Sequence, residues 1–257
     1  MIKNASHLVP RAMLLLVAFA VLLPAQIHSQ SKATIIRKRI VIVRSGKFAK
    51  DFPDRTRATI SYPLVTRLSN PAILSKVRSL LSVANIFETS LKEYRENNWL
   101  DEFDYVVNYN DNNILDVTFT QSGMAAYPDS QSRTISIDLR TGSVIKARDV
   151  FVVAKLTELA RLVDAKLQKD TAEVILAAKA DRQLTEASSI VEALEEVKFE
   201  VKDLDDFSIN KDGVTFLYEV GFPHAHRAFE PGGHYLFSYS KLKPFINPNG
   251  PLGQFIK

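Results

Sequence analysis

Four consecutive turn-forming residues, Asn110-Asp111-Asn112-Asn113, separate two β-prone runs, Phe103–Tyr109 and Ile114–Thr120. Asn and Asp tolerate the left-handed backbone and hydrogen-bond their own neighbours, so this cluster between runs of Val, Tyr, Phe, Thr and Ile predicts an antiparallel hairpin. A lone hairpin is marginal in water and needs more strands or a helix over one face. The flanking sequence offers both. Thr134–Leu139 predicts a third strand, ended by Thr141-Gly142. Upstream, Ile73, Val77, Leu80, Leu81, Ala84, Phe87 and Leu91 recur at three- and four-residue steps. That stripe predicts one amphipathic helix reaching Tyr94. Ser69 or Asn70 can cap it, with Pro71 at the first helical position, where its missing N–H costs nothing.

The second half repeats the mixture. Leu156, Leu159, Leu162, Val163 and Leu167 predict a long helix over 155–180, and a second, acidic helix is expected over 186–197. Phe207–Asn210 and Val214–Tyr218 flank Lys211-Asp212-Gly213, a hairpin signal. Tyr235–Tyr239 reads as a last strand, and Ser240–Phe245 as a short helix. The fold class expected is α+β, with two small subdomains, each a helix packed on a mainly antiparallel sheet. Their expected spans are 58–142 and 143–257. Before them, 30–57 reads as a basic arm or edge strand, with Lys47–Arg57 as a linker and Ala58–Val65 as a strand broken at Pro63.

The N-terminus predicts an address. Lys3 and Arg11 precede an unbroken apolar run, Ala12–Leu23, closed by Pro24, and small Ser29 follows. This order is that of a secretory signal peptide over 1–29, and the run is shorter than the ~20 residues a spanning helix needs. A retained anchor is the rival. The expected localisation is extracytoplasmic, periplasmic or secreted. Cleavage would leave about 228 residues, enough for one large domain or two small ones. The chain has no cysteine, which excludes disulfides, thiol redox catalysis and thiolate metal sites. At 46% hydrophobic and 24% charged, it can build its core without such staples.

Charge is segregated. Residues 31–57 hold nine bases against two acids, whereas 58–257 hold 22 bases against 27 acids. The arm Lys32–Arg57 could meet an anionic membrane, or lie as an edge strand on its own acidic body; the β-branched Ile40-Val41-Ile42-Val43 favours the strand. An exported chain with an acidic body does not suit nucleic acid.

No phosphate-binding glycine loop, zinc-protease helix or nucleophile elbow is present, and no cofactor is expected. Beyond the first 29 residues every histidine falls within 221–234: His224, His226 and His234. In an extended segment His224 and His226 would share a side, with Glu230 or His234 as a third ligand for a hydrolytic zinc. Pro223, Pro231 and Gly232-Gly233 disturb that geometry, so ordinary loop histidines are the favoured reading. Asp203, Asp205 and Asp206 form a weaker acid–base candidate within a solvated acidic run. Trp99, Tyr105, Tyr109, Tyr127 and Tyr218 could stack on sugars, although strand aromatics are usually core.

Three stretches carry a family resemblance: Asn113–Phe119, the loop Ser122-Gly123-Met124-Ala125-Ala126-Tyr127-Pro128, and Ile137–Phe151 with its Asp138-Leu139-Arg140-Thr141-Gly142 and Asp149-Val150-Phe151. Their order resembles the extracytoplasmic domain of uncharacterised function in the anti-sigma factor RsiV, a lysozyme receptor. The same domain accompanies the catalytic domain of the peptidoglycan deacetylase PdaC. The resemblance spans 58–245. The chain departs from it where Gly123–Tyr127 replaces the family's Gly-Gly-Ala-His, and by its paired histidines. The resemblance implies a non-catalytic, envelope-facing binding module for peptidoglycan or a lysozyme-like protein. Gly123, Tyr127, His224, His226 and Glu230 are then the expected binding residues, on loops 123–128 and 223–233. A metal-dependent hydrolase using the His224/His226 cluster and a structural envelope protein are the alternatives.

Overall fold

The computed structural model describes residues 32–96, 100–124, 127–181 and 187–257. The expected signal peptide and Trp99 lie outside them. The chain is α+β. A six-stranded sheet has the order β1 (Thr34–Val43), β2 (Arg57–Arg67), β3 (Leu100–Asp111), β4 (Ile114–Met124), β5 (Pro128–Asp138) and β6 (Ser143–Val144). A three-stranded sheet follows, of β7 (Phe207–Ile209), β8 (Gly213–Leu217) and β9 (His234–Ser238). Every pairing is antiparallel except β2 with β3, which meet in parallel only at Thr59–Glu102 and Ile60–Phe103.

The β3–β4 turn forms as its residues require. Asn112 and Asn113 take φ of 51° and 62°, the left-handed pair that a tight hairpin matched to strand twist demands. Alternation along β4 then divides the sheet's faces. Leu115, Val117 and Phe119 point to one side and are fully buried. They meet the elements between β2 and β3: α2 (Pro71–Leu80), α3 (Val83–Ile86) and α4 (Leu91–Glu96). Phe103 links this layer, its ring 5.7 Å from Phe87 and 6.0 Å from Phe119, at distances that favour aromatic pairs.

The expected single helix to Tyr94 is three pieces. Asn70 caps the first, its side chain accepting from Ala72 N at 2.9 Å. Ser82 begins the second in extended backbone, and Glu88 at φ 54° breaks the chain before the third. The apolar steps had read as continuous because all three pieces turn apolar residues to the same sheet.

Two expectations for the N-terminal region also change. Lys47–Arg57 is not a linker. It folds as α1 (Gly46–Asp51) and a 3-10 turn at Pro53–Arg55. Buried Arg44 donates to the carbonyls of Arg55 and Leu100, tying both ends down. Nor does Pro63 break its strand. β2 runs through it, because β3 has left β2 by then and one side of the strand needs no donor. The basic segment is an edge strand, and Arg37 pairs with Asp104 while lying 5.3 Å over the Tyr105 ring.

A second hydrophobic cluster fills the space under the small sheet. After α5 (Ala147–Val150), α6 (Leu156–Ala180) turns Leu159, Val163 and Leu167 inward, and α7 (Ala187–Glu195) adds Ile190 and Leu194. Phe216 of β8 sits centrally, 5.8 Å from Phe151 and 5.9 Å from Phe237. After α8 (Tyr239–Leu242) a final 3-10 segment, Pro251–Ile256, turns back: Phe255 stacks on Tyr239 at 4.3 Å, and Gln254 donates to the Asn112 carbonyl at 3.0 Å. No helix of the described residues is long and apolar enough to cross a membrane.

Candidate functional site

The second face of β4 is polar. Asp116, Thr118 and Thr120 alternate with the core residues and stand opposite Ser136, Thr134 and Ser132 of β5. Directly opposed hydroxyls bond across the strands, Thr118 with Thr134 at 2.8 Å and Thr120 with Ser132 at 3.3 Å. Asn108 of β3 joins the ladder, donating to Thr118 Oγ1 and to Asp116 Oδ1, both at 2.7 Å.

Asp116 fastens the small sheet over one end of this face. It is fully buried, and four donors surround it. Ser208 Oγ reaches Oδ1 at 2.9 Å, Ile209 N reaches Oδ2 at 2.8 Å, and Ser136 and Asn108 supply the others. Burial raises its pKa, and the hydrogen bonds from Ser136, Ile209, Asn108 and Ser208 pull the other way. The group therefore joins β3, β4, β5 and β7 through one carboxyl.

Between the sheets, beyond this clamp, lies a cleft of about 530 Å³. Asn108, Thr118 and Thr134 form its floor, β8 with Tyr218 and Glu219 one wall, and the Glu230–His234 segment the other. Gly233 makes that wall possible. Its φ is +68°, and a Cβ there would lie 2.5 Å from the Tyr218 carbonyl oxygen. Tyr218 N in turn bonds the Gly233 carbonyl at 2.9 Å. Glu230 closes the loop on itself by accepting from Phe222 N at 2.8 Å. Asp206 stands at the mouth. Desolvation at the cleft raises its pKa and neighbouring Glu219 raises it further, while Lys146, Arg133 and His234 oppose them. The lining is thus hydroxyl, amide and carboxylate, suited to hydrogen-bonding a hydroxyl-rich or amine-bearing ligand.

The residues expected from sequence disperse. Glu230 and His234 reach the cleft. Gly123 is not in a loop but in β4, opposite Asp129, and Tyr127 is 64% exposed away from the cleft. The segment holding His224 and His226 is a 3-10 helix, His224–Phe229, not an extended run, so alternation does not place the pair on one side. The His226 ring packs edge-on to Phe222 at 6.4 Å, and the side chain of His224 lies outside the described part. Among the described residues no three His, Asp or Glu side chains gather to hold a metal. Arg227 of the second expected loop pairs with Asp129 of β5, one residue past the first expected loop. The aspartates also part: Asp203 accepts from Glu200 N at 2.7 Å, Asp205 accepts from Ala147 N at 2.9 Å, and only Asp206 faces the cleft. Sequence reasoning missed Asn108, Asp116, Thr118, Thr134 and Glu219. A single acid inside the apolar run Ile114-Leu115-Asp116-Val117 was the available signal.

No family model and no curated protein matches the chain. Its fold is similar to solved structures. One is a DUF3298 family protein from Pseudomonas aeruginosa PAO1, with 14% identity and a TM-score of 0.53 over 84% of this chain and 95% of that one. Another is a DUF3298 family member from Bacteroides fragilis NCTC 9343, with 14% identity and a TM-score of 0.52 over 89% of this chain and 99% of that one. The chain shares the α+β fold of these DUF3298 proteins, a family defined by a domain of unknown function.

Proposed function

We propose that this protein is an exported, non-catalytic binding module of the cell envelope, and that its ligand is a peptidoglycan glycan strand seated in the inter-sheet cleft. The observation that carries the reading is the cleft's lining. Asn108, Thr118, Thr134, Asp206 and Glu219 offer directional donors and acceptors to sugar hydroxyls and amides. The signal-peptide pattern at 1–29 and the resemblance of Asn113–Phe151 to an envelope domain support the setting. Titration with chito-oligosaccharides and pull-down on purified peptidoglycan test it. Binding should weaken about tenfold in Glu219→Ala and in Thr134→Val, as expected for losing one ligand hydrogen bond each. Retention on neither material refutes the glycan reading. The three carboxylates Asp206, Glu219 and Glu230 at one cleft favour a second reading, a basic lysozyme-like protein. Retention by immobilised lysozyme, lost in Glu219→Ala, would select it. N-terminal sequencing of the exported protein tests cleavage after Ser29.

A further inference from the structure

The hydroxyl ladder ends at β5, and before Ile137 no strand of the described residues pairs with the outer edge of β5. Its outer neighbour β6 pairs with it only at Ile137 and Asp138. The direction of the remaining main-chain groups follows from two bonds. The carbonyls of Ser136 and Asp138 accept from Ile145 N and Gly142 N, both at 2.8 Å, so even-numbered residues of β5 point their main-chain groups outward. In an antiparallel strand the N–H and C=O of one residue share a side, and the β4–β5 register has no bulge to change the parity. Ser132 and Thr134 therefore present N–H and C=O outward with no ladder partner among the described residues, and Ser130 adds its carbonyl. The Ser130 N–H is already taken by Asp129 Oδ1 at 2.7 Å.

This edge is not bare surface. Ser130–Arg133 form the bottom of a groove of about 410 Å³. Ile86, Phe87 and Glu88 stand on one side of it, and Glu219 and Arg227 on the other. Both walls are braced: Arg133 donates to the Ile86 carbonyl, and Arg227 holds Asp129. Its floor is a row of main-chain groups that have no ladder partner among the described residues.

We infer that this groove binds an extended peptide segment of a partner protein, which adds to β5 as a further strand. The chemistry is that of strand addition, in which main-chain bonds give affinity and alternate side chains give selectivity. Side chains on one side of such a peptide meet Phe87, and those on the other meet Glu219 and Arg227. The fitting sequence alternates apolar and polar residues. A second copy of this chain fits poorly, since its own β5 carries the same two walls, which would meet these. Pro128 and the charge of Arg133 are the kind of features that keep an open edge from pairing indiscriminately. The groove shares Glu219 and Ser132 with the glycan cleft, but the inference rests on outward main-chain groups of β5, which the methylated peptides test and a glycan does not.

The test uses a hexapeptide of alternating valine and threonine, blocked at both ends, followed by amide NMR and hydrogen exchange on the full chain. The expected result is shifts centred on Ser130–Thr134 and slowed exchange at Ser132. N-methylating the peptide residues that face β5 should weaken binding about tenfold per lost bond, while methylating the intervening ones should not. Ser132→Pro removes one outward N–H and should weaken binding similarly, with circular dichroism confirming its fold. Equal affinity of the two methylated series, or shifts elsewhere, overturns the inference. So does a dimer in sedimentation that Ser132→Pro dissolves, which would give the edge to a second copy.

Discussion

Replacing Asp116 by alanine tests the idea that one carboxyl holds the two sheets together. The four donors differ in what they can do once it is gone. The hydroxyls of Ser136 and Ser208 can rotate to new partners, whereas Ile209 N–H is fixed in the backbone of β7 and becomes a buried orphan. Such an orphan costs about 1–3 kcal/mol, and the lost Asn108 bond about 0.5–1.5 kcal/mol more. The expected loss is about 3 kcal/mol, or about 6–12 °C in melting temperature for a chain of this size. Asp116→Asn should cost far less. Its amide nitrogen can take the Oδ1 side, where Ser208 can accept and the Asn108 amide can turn over, leaving the other oxygen for Ile209. Urea and thermal melts at neutral pH, with exchange at the Ile209 amide, read both variants. The pH dependence supplies a second arm. Burial raises the folded pKa of Asp116, so the neutral form is favoured on folding. The proton-linked part of its contribution to stability therefore grows as pH falls through that raised value toward the ordinary carboxylate range, and is absent above it. Asp116→Asn should lack this slope. An alanine variant melting within about 1 °C of the parent, less than 1 kcal/mol by the same conversion, would refute the clamp.

Glu219→Gln should lower the pKa of Asp206, because Glu219 is one of the two influences raising it; carboxyl NMR titration reads the change. Asn113→Gly should stabilise by a few tenths to about 1 kcal/mol, since its φ of 62° favours glycine, and a chemical melt checks it. Gly213→Ala should destabilise by about 3 kcal/mol or more, because its Cβ would lie 2.0 Å from the Phe237 carbonyl oxygen and force β8 from β9; calorimetry would show it.

The elements were legible where local chemistry decides them. Asn112-Asn113 could only turn, and Asn70-Pro71 could only start a helix. The two hairpins emerged within a few residues of their expected places. Failures came where distant packing overrode local signals. Pro63 reads as a breaker until β3 is seen leaving β2. The stripe from Ile73 to Leu91 reads as one helix because a common sheet imposes one spacing on three. The cleft was nearly invisible, since its floor is alternate residues of β3, β4 and β5 and its walls come about 100 residues later. Histidines drew attention to 221–234 by their chemistry. The part of that segment facing the cleft is instead held by the Glu230 carboxylate and shaped by the backbone of Gly233.

The return of the last 3-10 segment bears on the order of events in folding. Gln254 meets Asn112 across 142 residues of chain, and Phe255 lies 5.8 Å from the Tyr109 ring, at the end of the first hairpin. Closing a loop of that length wins its contacts only after the intervening chain has been ordered. The first hairpin can assemble early from neighbours, but its tip remains uncovered until the far end arrives. The last 3-10 segment is thus a seal over the tip of the first hairpin, and its removal should leave the Asn112-Asn113 turn uncovered.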